Sequence, residues 1–290
     1  MYLPVADVHV IPVVPVAMGF GLGLICAPAG ISGAIYLLPL QLSFLGVGAV
    51  CASATNMFYN VLATPGGVLR IIRERRMCWP LSGTIVAGSV PGILLGVYLR
   101  LHYLPGRRLF MCFVGCFLLA SGFLLGLQTL RDGRRALRHG RAELEDIYFD
   151  LRWIGWRFSG VEQRVNVLRL LAAAAVIGLA SGAYGIGGAG ILIPVLVLFF
   201  RIPVYIAAGS SLFANLVNSS AGLAAYSLIG GALGVRSRAD PWLAILFAAG
   251  GFPGIYVGSR LQKHLPERAI RVLLALITLS IGAGYVVRCR

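Results

Sequence analysis

The sequence has few charged residues for its length. Asp, Glu, Lys and Arg together make up 12% of the 290 residues, about half of the share in an average soluble protein. So few charges cannot cover the surface of a soluble domain of this size, and 58% of the residues are hydrophobic. The composition therefore excludes a soluble enzyme. It also excludes a single-span receptor, because the chain has no long polar domain to anchor.

Acidic residues and histidines are missing from the apolar stretches. All ten acids fall in predicted loops or tails, and the four histidines lie at predicted span ends or in loops. A proton relay normally uses Asp, Glu or His inside the membrane, and a buried carboxylate commonly helps to bind a cation. Intramembrane proteases need a histidine or clustered metal ligands at the same depth. We therefore predict no enzymatic activity, no catalytic residue, no metal site and no cofactor.

Long apolar segments are what the sequence has instead. Stretches of about twenty apolar residues recur along the whole chain, which is typical of membrane-spanning helices. The net charge of +15 comes from arginines in the loops, and such an excess marks cytoplasmic segments. The partner predicted from this charge is the lipid bilayer and not a nucleic acid. We expect an all-α polytopic membrane protein with about 8–10 transmembrane segments in the plasma membrane.

The charged residues divide the chain into three parts. The first transmembrane repeat is predicted at residues 10–130, a charged cytoplasmic linker at 131–164, and the second transmembrane repeat at 165–290. Apolar residues in the linker recur at helical spacing, which favours an amphipathic surface helix. These residues are Leu137, Leu144, Ile147 and Leu151.

The two halves repeat the same short motifs in the same order. The segment Gly30–Pro39 aligns with Gly185–Pro194, and Pro91–Gly96 aligns with Pro253–Gly258. This pattern predicts an internal duplication in which each half carries a Gly-rich broken or re-entrant helix. Repeated halves with such breaks at matching places are typical of secondary transporters, whose site lies between the halves.

Two topologies are compatible with the sequence. The apolar segments after the breaks, Ala34–Gly46 and Ala189–Phe200, are short for a membrane span. If they do not cross, each half has four spans and the halves are parallel. If they cross, each half has five spans and the halves are inverted. The positive-inside rule fits both arrangements equally well.

The residues at and after the breaks are the candidate substrate site. A helix that starts after a break exposes backbone N–H groups at the positive end of its dipole, and these favour an anion. Glycine lets the backbone approach the ligand closely, and neutral hydroxyl and amide groups supply further donors. In a one-residue-shifted alignment Thr55 falls on Ser211. The predicted substrate-binding residues are Gly30, Ser32, Gly33, Thr55, Asn56, Gly185, Gly187, Gly188, Ser211 and Asn215.

Each of these features also has a purely structural interpretation. Glycines in membrane helices often form close-packing faces, and Ser or Thr often bonds to its own helix. Several arginines lie at span ends, where they could recruit an anion at the mouth of the site, although the default expectation is that the side chain extends to the membrane surface. These are Arg100, Arg107, Arg260 and Arg268.

The segment Gly178–Pro194 resembles the signature of the TauE/SafE sulfite-exporter family. The first half carries a degenerate copy that ends at Pro39, in which Ser32 and Ile35 replace glycines. The resemblance covers essentially the whole chain outside the charged linker. It implies a multi-pass permease of the bacterial inner membrane that moves small sulfur-containing or carboxylate anions.

The function expected from these observations is secondary transport of a small sulfur-containing oxyanion, such as sulfite or an organosulfonate, by alternating access. Two alternatives stay open: a transporter of carboxylates or other small anions, and a non-transporting membrane protein that binds a partner through residues 131–164. A proton carried on the substrate or a Na⁺ ion is the candidate coupling ion. The sequence does not decide whether the protein is a homo-oligomer.

Overall fold

The computed structural model describes residues 1–104, 106–132, 144–150, 152–158, 161–235, 237–261 and 267–287. Within these ranges, ten α-helices form two series of five, with a short 3₁₀ turn at Ala27–Ala29 after the first helix. The first series is α1 Val13–Cys26, α2 Ala34–Ser43, α3 Ala49–Arg73, α4 Trp79–Tyr103 and α5 Arg107–Asp132. The second is α6 Val167–Tyr184, α7 Ala189–Leu198, α8 Val204–Ala232, α9 Pro241–Leu261 and α10 Glu267–Val287.

Five of these helices are long and apolar enough to cross a membrane by length and composition, counting the described residues only. They are α4, α6, α9 and most of α5 and α8. By contrast, α2 and α7 have ten residues each, about 15 Å of helix against a hydrocarbon core of about 30 Å. The structure is therefore an all-α polytopic membrane fold with two short broken helices.

Helices of one half pack against helices of the other through glycines. A β-carbon on Gly92 of α4 would lie 2.2 Å from the carbonyl oxygen of Ala175 in α6. In the same way, a β-carbon on Gly19 of α1 would lie 2.0 Å from the carbonyl oxygen of Phe247 in α9. Backbones this close leave no room for a side chain, as in other small-residue interfaces between membrane helices. These glycines therefore form close-packing faces between the halves.

Matching helices of the two series run in opposite directions. In α3 and α8, Thr64 lies opposite Asn215, and Ile71 near the end of α3 lies against Gly209 near the start of α8. The fifth helices are also antiparallel, because Gly115 of α5 lies against Val286 and the later Gly122 against Leu279 of α10. This is the direction expected of inverted halves and not of parallel ones. A common origin of the halves stays a prediction.

The charged linker contains a sheet in its described part. Strands β3 Leu144–Phe149, β4 Trp153–Phe158 and β5 Val161–Asn166 pair antiparallel in that order; a separate two-stranded sheet, Tyr2–Leu3 with Val8–His9, precedes α1. In β4, the side chains of Ile154 and Trp156 are fully buried, those of Trp153 and Arg157 are exposed, and the residue between the two buried side chains is Gly155.

A burial period of two is that of a strand. Aromatic and β-branched residues, which favour strands, are frequent in this segment. The prediction of an amphipathic helix here is therefore wrong for Ile147, which lies in β3. Leu144 also begins that strand, and Leu137 and Leu151 lie outside the described residues. The buried side of β4 packs against the starts of α4 and α6, so the sheet covers one end of the helical bundle.

Candidate functional site

The first break, at Gly30–Gly33, and the second break, at Gly185–Gly188, depend on glycines with positive backbone φ angles. Gly30 has φ +71 after the 3₁₀ turn, and Gly185 ends α6 at φ +93. Gly187 and Gly188 follow at φ +72 and +111. Residues with a β-carbon rarely adopt these angles, so the chain can turn here only because these positions are glycine. Gly33 differs: its φ is −58, and close packing on α1 is what excludes a side chain.

Each break lies against the long third helix of the opposite half. A β-carbon on Gly185 would lie 2.6 Å from Cβ of Ser53 in α3. A β-carbon on Gly30 would lie 2.6 Å from Cβ of Ala208 in α8. The two contacts correspond at a constant separation in the sequence, which makes α3 and α8 equivalent walls of one site between the halves.

Asn56 joins the two breaks directly. Its Nδ2 group donates to the carbonyl oxygen of Ala34 at the start of α2, at 3.0 Å, and to that of Gly185 at the end of α6, at 2.9 Å. The side chain is fully buried. One amide therefore satisfies a carbonyl from each half, which fixes the breaks side by side.

Asn60, one turn further along α3, makes a second link between the breaks. Its Nδ2 group donates to the carbonyl oxygen of Ile186 at 3.0 Å, and its Oδ1 accepts from the hydroxyl of Ser32 at 2.5 Å. Every polar atom of this amide group has a partner. The first break is thus tied to the second by a complete hydrogen-bond chain.

The α8 side of the site is less completely paired. Asn218 donates to the carbonyl oxygen of Gly187 at 3.0 Å and accepts from the hydroxyl of Ser89 at 2.8 Å. Asn215 donates to the Thr64 hydroxyl at 3.2 Å. The Oδ1 atom of Asn215 has no partner, although it lies beside the break.

Gly187 is the point of closest approach on that side. A β-carbon there would lie 2.2 Å from Oγ of Ser219 and 2.4 Å from Oδ1 of Asn215. Several fully buried polar atoms around the breaks lack a hydrogen-bond partner among the described residues, which is uncommon for buried groups. They are Asn56 Oδ1, Asn215 Oδ1 and the hydroxyls of Ser181, Ser211 and Ser219.

The electrostatics of the breaks follow from the two short helices. Both α2 and α7 start at a break, and the first N–H groups of a helix have no acceptor within it. These N–H groups carry the positive end of the helix dipole. The amide side chains donate to the carbonyl oxygens of the breaks and so neutralise negative groups. At the start of α2 the N–H of Ala34 donates to the Ser32 hydroxyl at 3.3 Å. Such a site favours an anion.

Eight of the ten predicted residues lie at the paired breaks. Ser211 is fully buried on α8, one turn before Asn215, with no partner for its hydroxyl in the described part of the chain. Thr55 points elsewhere: its hydroxyl accepts from the backbone N–H of Asp240, at 2.9 Å, at the start of α9. The eight are Gly30, Ser32, Gly33, Asn56, Gly185, Gly187, Gly188 and Asn215.

The one-residue shift that matched Thr55 with Ser211 does not hold. The contacts of the breaks pair Ser53 with Ala208, and the same separation matches Thr55 with Ser210. Ser210 accepts from Ser82 in the first turn of α4, as Thr55 contacts the start of α9. The hydroxyl of Thr55 thus links α3 to the start of α9, and that of Ser210 links α8 to the start of α4. Both lie outside the paired breaks.

Sequence reasoning left Asn60, Ser53, Asn218 and Ser219 out of the candidate site. A usable signal was present, because polar residues recur at spacings of three and four along α3 and α8. Residues at this spacing share one face of a helix. That face meets the breaks in both helices.

Asp240 lies in a loop, as predicted, but it is a buried acid. It precedes α9 and is fully buried. Its carboxylate accepts from the backbone N–H of Ala6 at 3.0 Å and of Leu243 at 2.9 Å. This is an N-cap contact that also holds the N-terminal hairpin. No group of three or more His, Cys, Asp or Glu suited to a metal ion occurs among the described residues.

The prediction that the Arg100 side chain extends to the membrane surface is wrong. The side chain is fully buried in the last turn of α4. Arg260 near the end of α9 is exposed, as expected of a residue at a span end. The side chains of Arg107 and Arg268 lie outside the described part.

A family model described as "Sulfite exporter TauE/SafE" matches residues 16–285. The chain belongs to the TauE/SafE family. It is 21% identical over 279 residues to YunE, a probable membrane transporter protein of Bacillus subtilis, covering 93% of this chain and 95% of that protein. A probable membrane transporter protein of Xylella fastidiosa is 28% identical over 286 residues, covering 91% and 90%.

MamO of Magnetospirillum gryphiswaldense, another probable membrane transporter protein, is 24% identical over 280 residues, which cover 90% of this chain and 44% of that protein. No solved structure matches the chain. The TauE/SafE chain is thus a multi-pass membrane transporter.

Proposed function

We propose that this transporter moves a small sulfur-containing oxyanion, sulfite or an organosulfonate, and binds it at the paired breaks. The observation that carries the proposal is the double hydrogen bond of Asn56, which holds the two breaks together at the interface of the halves. The family description supports sulfite as the first substrate to test.

The chemistry of the breaks supports an anion over a cation. Two helix starts converge there, and the hydroxyls of Ser181, Ser211 and Ser219, which have no partner among the described residues, can donate to an anion. The unpartnered amide atoms of Asn56 and Asn215 are oxygens, which only accept. No carboxylate is hydrogen-bonded to either break within the described ranges. An oxyanion has three or four acceptor oxygens, which match several N–H and O–H donors at once.

The opposite directions of the two halves support alternating access. In transporters with inverted repeats, exchanging the conformations of the halves converts an outward-open site into an inward-open one. In that step the first break, where Ser32 and Asn60 are hydrogen-bonded, and the second break, where Asn215 is less completely paired, would exchange roles. Coupling then uses a proton carried on the substrate or a Na⁺ held by break carbonyls.

Sulfite uptake into proteoliposomes tests this function. The panel includes sulfite, sulfoacetate, taurine, acetate and chloride, with protein-free vesicles as the blank. We expect uptake of sulfite or a sulfonate above acetate and chloride. Uptake of acetate alone would replace the sulfur oxyanion with a carboxylate, and no uptake of any of these anions by folded protein would contradict the proposal.

A matched pair of glycine variants ties uptake to the breaks. Gly187→Ala and Gly188→Ala both place a β-carbon at positive φ. Only the first drives it into the polar cluster; the nearest atom at Gly188 is 3.5 Å away. We expect Gly187→Ala to lose at least about tenfold more uptake than Gly188→Ala, since about 1.4 kcal/mol corresponds to a factor of ten. Equal losses would mean that backbone strain alone matters.

A further inference from the structure

The side chain of Arg100 is buried without a hydrogen bond to any described residue. It is 0% exposed, and none of its three guanidinium nitrogens has a partner in the described part of the chain. The guanidinium group carries five N–H donors and stays charged at any physiological pH. Buried charges in proteins are normally paired, so the group is incomplete as it stands.

The surroundings of Arg100 compensate only part of the charge. The guanidinium carbon lies 3.7 Å from the centroid of the Phe110 ring, which is a cation–π contact. The negative end of the α4 dipole also favours a cation in the last turn. Neither the ring face nor the helix dipole accepts a hydrogen bond from the N–H groups, which lie in the plane of the guanidinium group. The adjacent cluster is otherwise apolar, and it contains Val97, Leu101 and Ala225.

Tyr226 connects Arg100 with the paired breaks. It lies within electrostatic range of the guanidinium group and beside Ser53. Its hydroxyl donates to the carbonyl oxygen of Gly182 at 3.2 Å, three residues before the second break. One side chain therefore separates the buried cation from the glycine turn.

We infer that Arg100 is a second anion-binding site, which takes the oxyanion on its way between the end of α4 and the paired breaks. This inference rests on the proposed function for the identity of the anion. An oxyanion accepts two parallel N–H bonds from a guanidinium fork, which is the missing partner of Arg100. The Phe110 ring holds the plane of the fork.

The second half carries no cation at the position equivalent to Arg100. When Pro91 is aligned with Pro253, the position that matches Arg100 is Gln262. Since α4 begins directly after the basic segment Arg70–Arg76, Arg100 lies at the opposite end of the helix from that segment.

Thermal unfolding of the full-length protein in detergent tests the inference. The sole background anion is gluconate, and sulfite, sulfate or chloride is titrated. Ligands that bind the folded state raise the melting temperature with concentration. For Arg100→Met we expect a higher melting temperature than wild type before any titration, because an uncompensated charge is gone. The sulfite concentration for a half-maximal shift should rise about tenfold or more.

Two further variants serve as controls. Arg260→Met removes an exposed arginine near the end of α9 and should keep the wild-type titration. Arg100→Lys keeps the charge without the planar fork and should lie between wild type and Arg100→Met. A wild-type protein that shifts with none of the three anions overturns the inference without any variant. So does an Arg100→Met protein that titrates like wild type.

Uptake separates this inference from the proposed function. If wild-type protein takes up no sulfite but its anion-dependent shift requires Arg100, the second site stands and the proposed function fails. If sulfite uptake by Arg100→Met has the wild-type KM, the second site fails and the proposed function stands. A raised KM with retained maximal rate supports both.

Discussion

The two breaks have the same backbone plan but different polar chemistry. At the first break the Ser32 hydroxyl donates to Asn60, and the amide of Asn60 continues to the second break. At the corresponding place in the second break stands Gly187, and the facing Asn215 keeps an unpartnered oxygen. The first break is therefore the anchored one. At the second break that oxygen only accepts, while the amide nitrogen of Asn215 makes one bond among the described residues and keeps a second N–H for an anion.

The largest effect is expected from Asn56→Ala, which removes the bridge between the breaks. Two buried carbonyl groups lose their donor, and each unsatisfied group costs about 1–3 kcal/mol. We expect a large drop in melting temperature and loss of sulfite uptake. The control is Ser220→Ala on α8, which removes only an exposed hydroxyl bonded to its own helix. A melting temperature equal to that of the control would contradict the bridging role.

Asn60→Ala and Asn215→Ala sharpen the comparison. Asn60 is completely paired, so its loss should cost more folding stability, about 1–3 kcal/mol. Asn215 holds only one weak bond to Thr64, so its loss should reduce sulfite affinity more than stability. The check is to measure the melting temperature and the KM of sulfite uptake for both variants. Asn60→Ala should show the larger drop in melting temperature, and Asn215→Ala the larger rise in KM. Identical profiles would mean that the breaks are functionally equivalent.

Ser32→Gly gives the first break the residue type of the second. The lost hydroxyl bond contributes about 0.5–1.5 kcal/mol, and Gly adds backbone freedom to the unfolded chain. We expect a moderate drop in melting temperature with uptake retained. Thermal unfolding and proteoliposome uptake check it, and complete loss of uptake would move substrate contact to the first break.

The smallest effect is expected outside the breaks, on the linker sheet. The double change Arg152→Gln with Arg164→Gln removes two exposed charges there. Surface substitutions of this kind usually change stability by about 0.5 kcal/mol or less. Sulfite uptake within about twofold of wild type would agree with transport. Abolished activity with an intact fold would favour the alternative in which residues 131–164 bind a partner.

The sequence predicted the helices, the two breaks and most residues around them, because Gly and Pro at matching places are strong local signals. It left both directions of the halves open, since helix direction depends on whether α2 and α7 cross the membrane. It also misplaced Thr55, which shares α3 with Asn56 but faces α9. Neighbouring residues on a helix point about 100° apart, and only packing decides which face meets the site.

The burial of Asp240 and Arg100 could not be predicted from local sequence. Both lie at helix ends, where charged side chains usually reach water. Here the N-terminal hairpin covers the first, and Phe110 of α5 covers the second. The linker sheet was not predicted because the few Leu and Ile positions of this segment fitted a helical spacing. Its aromatic residues, which favour strands, were the signal for the sheet.

Hydrogen–deuterium exchange with and without sulfite tests the central claim most directly, that one oxyanion is bound by the backbone of both breaks. The full-length protein is compared in sulfite and in gluconate. The account predicts slower exchange in peptides that cover Gly30–Ile35 and Gly185–Ile191 together, and no such change in Gly187→Ala. Protection in neither segment, at sulfite concentrations that saturate uptake, would contradict the account.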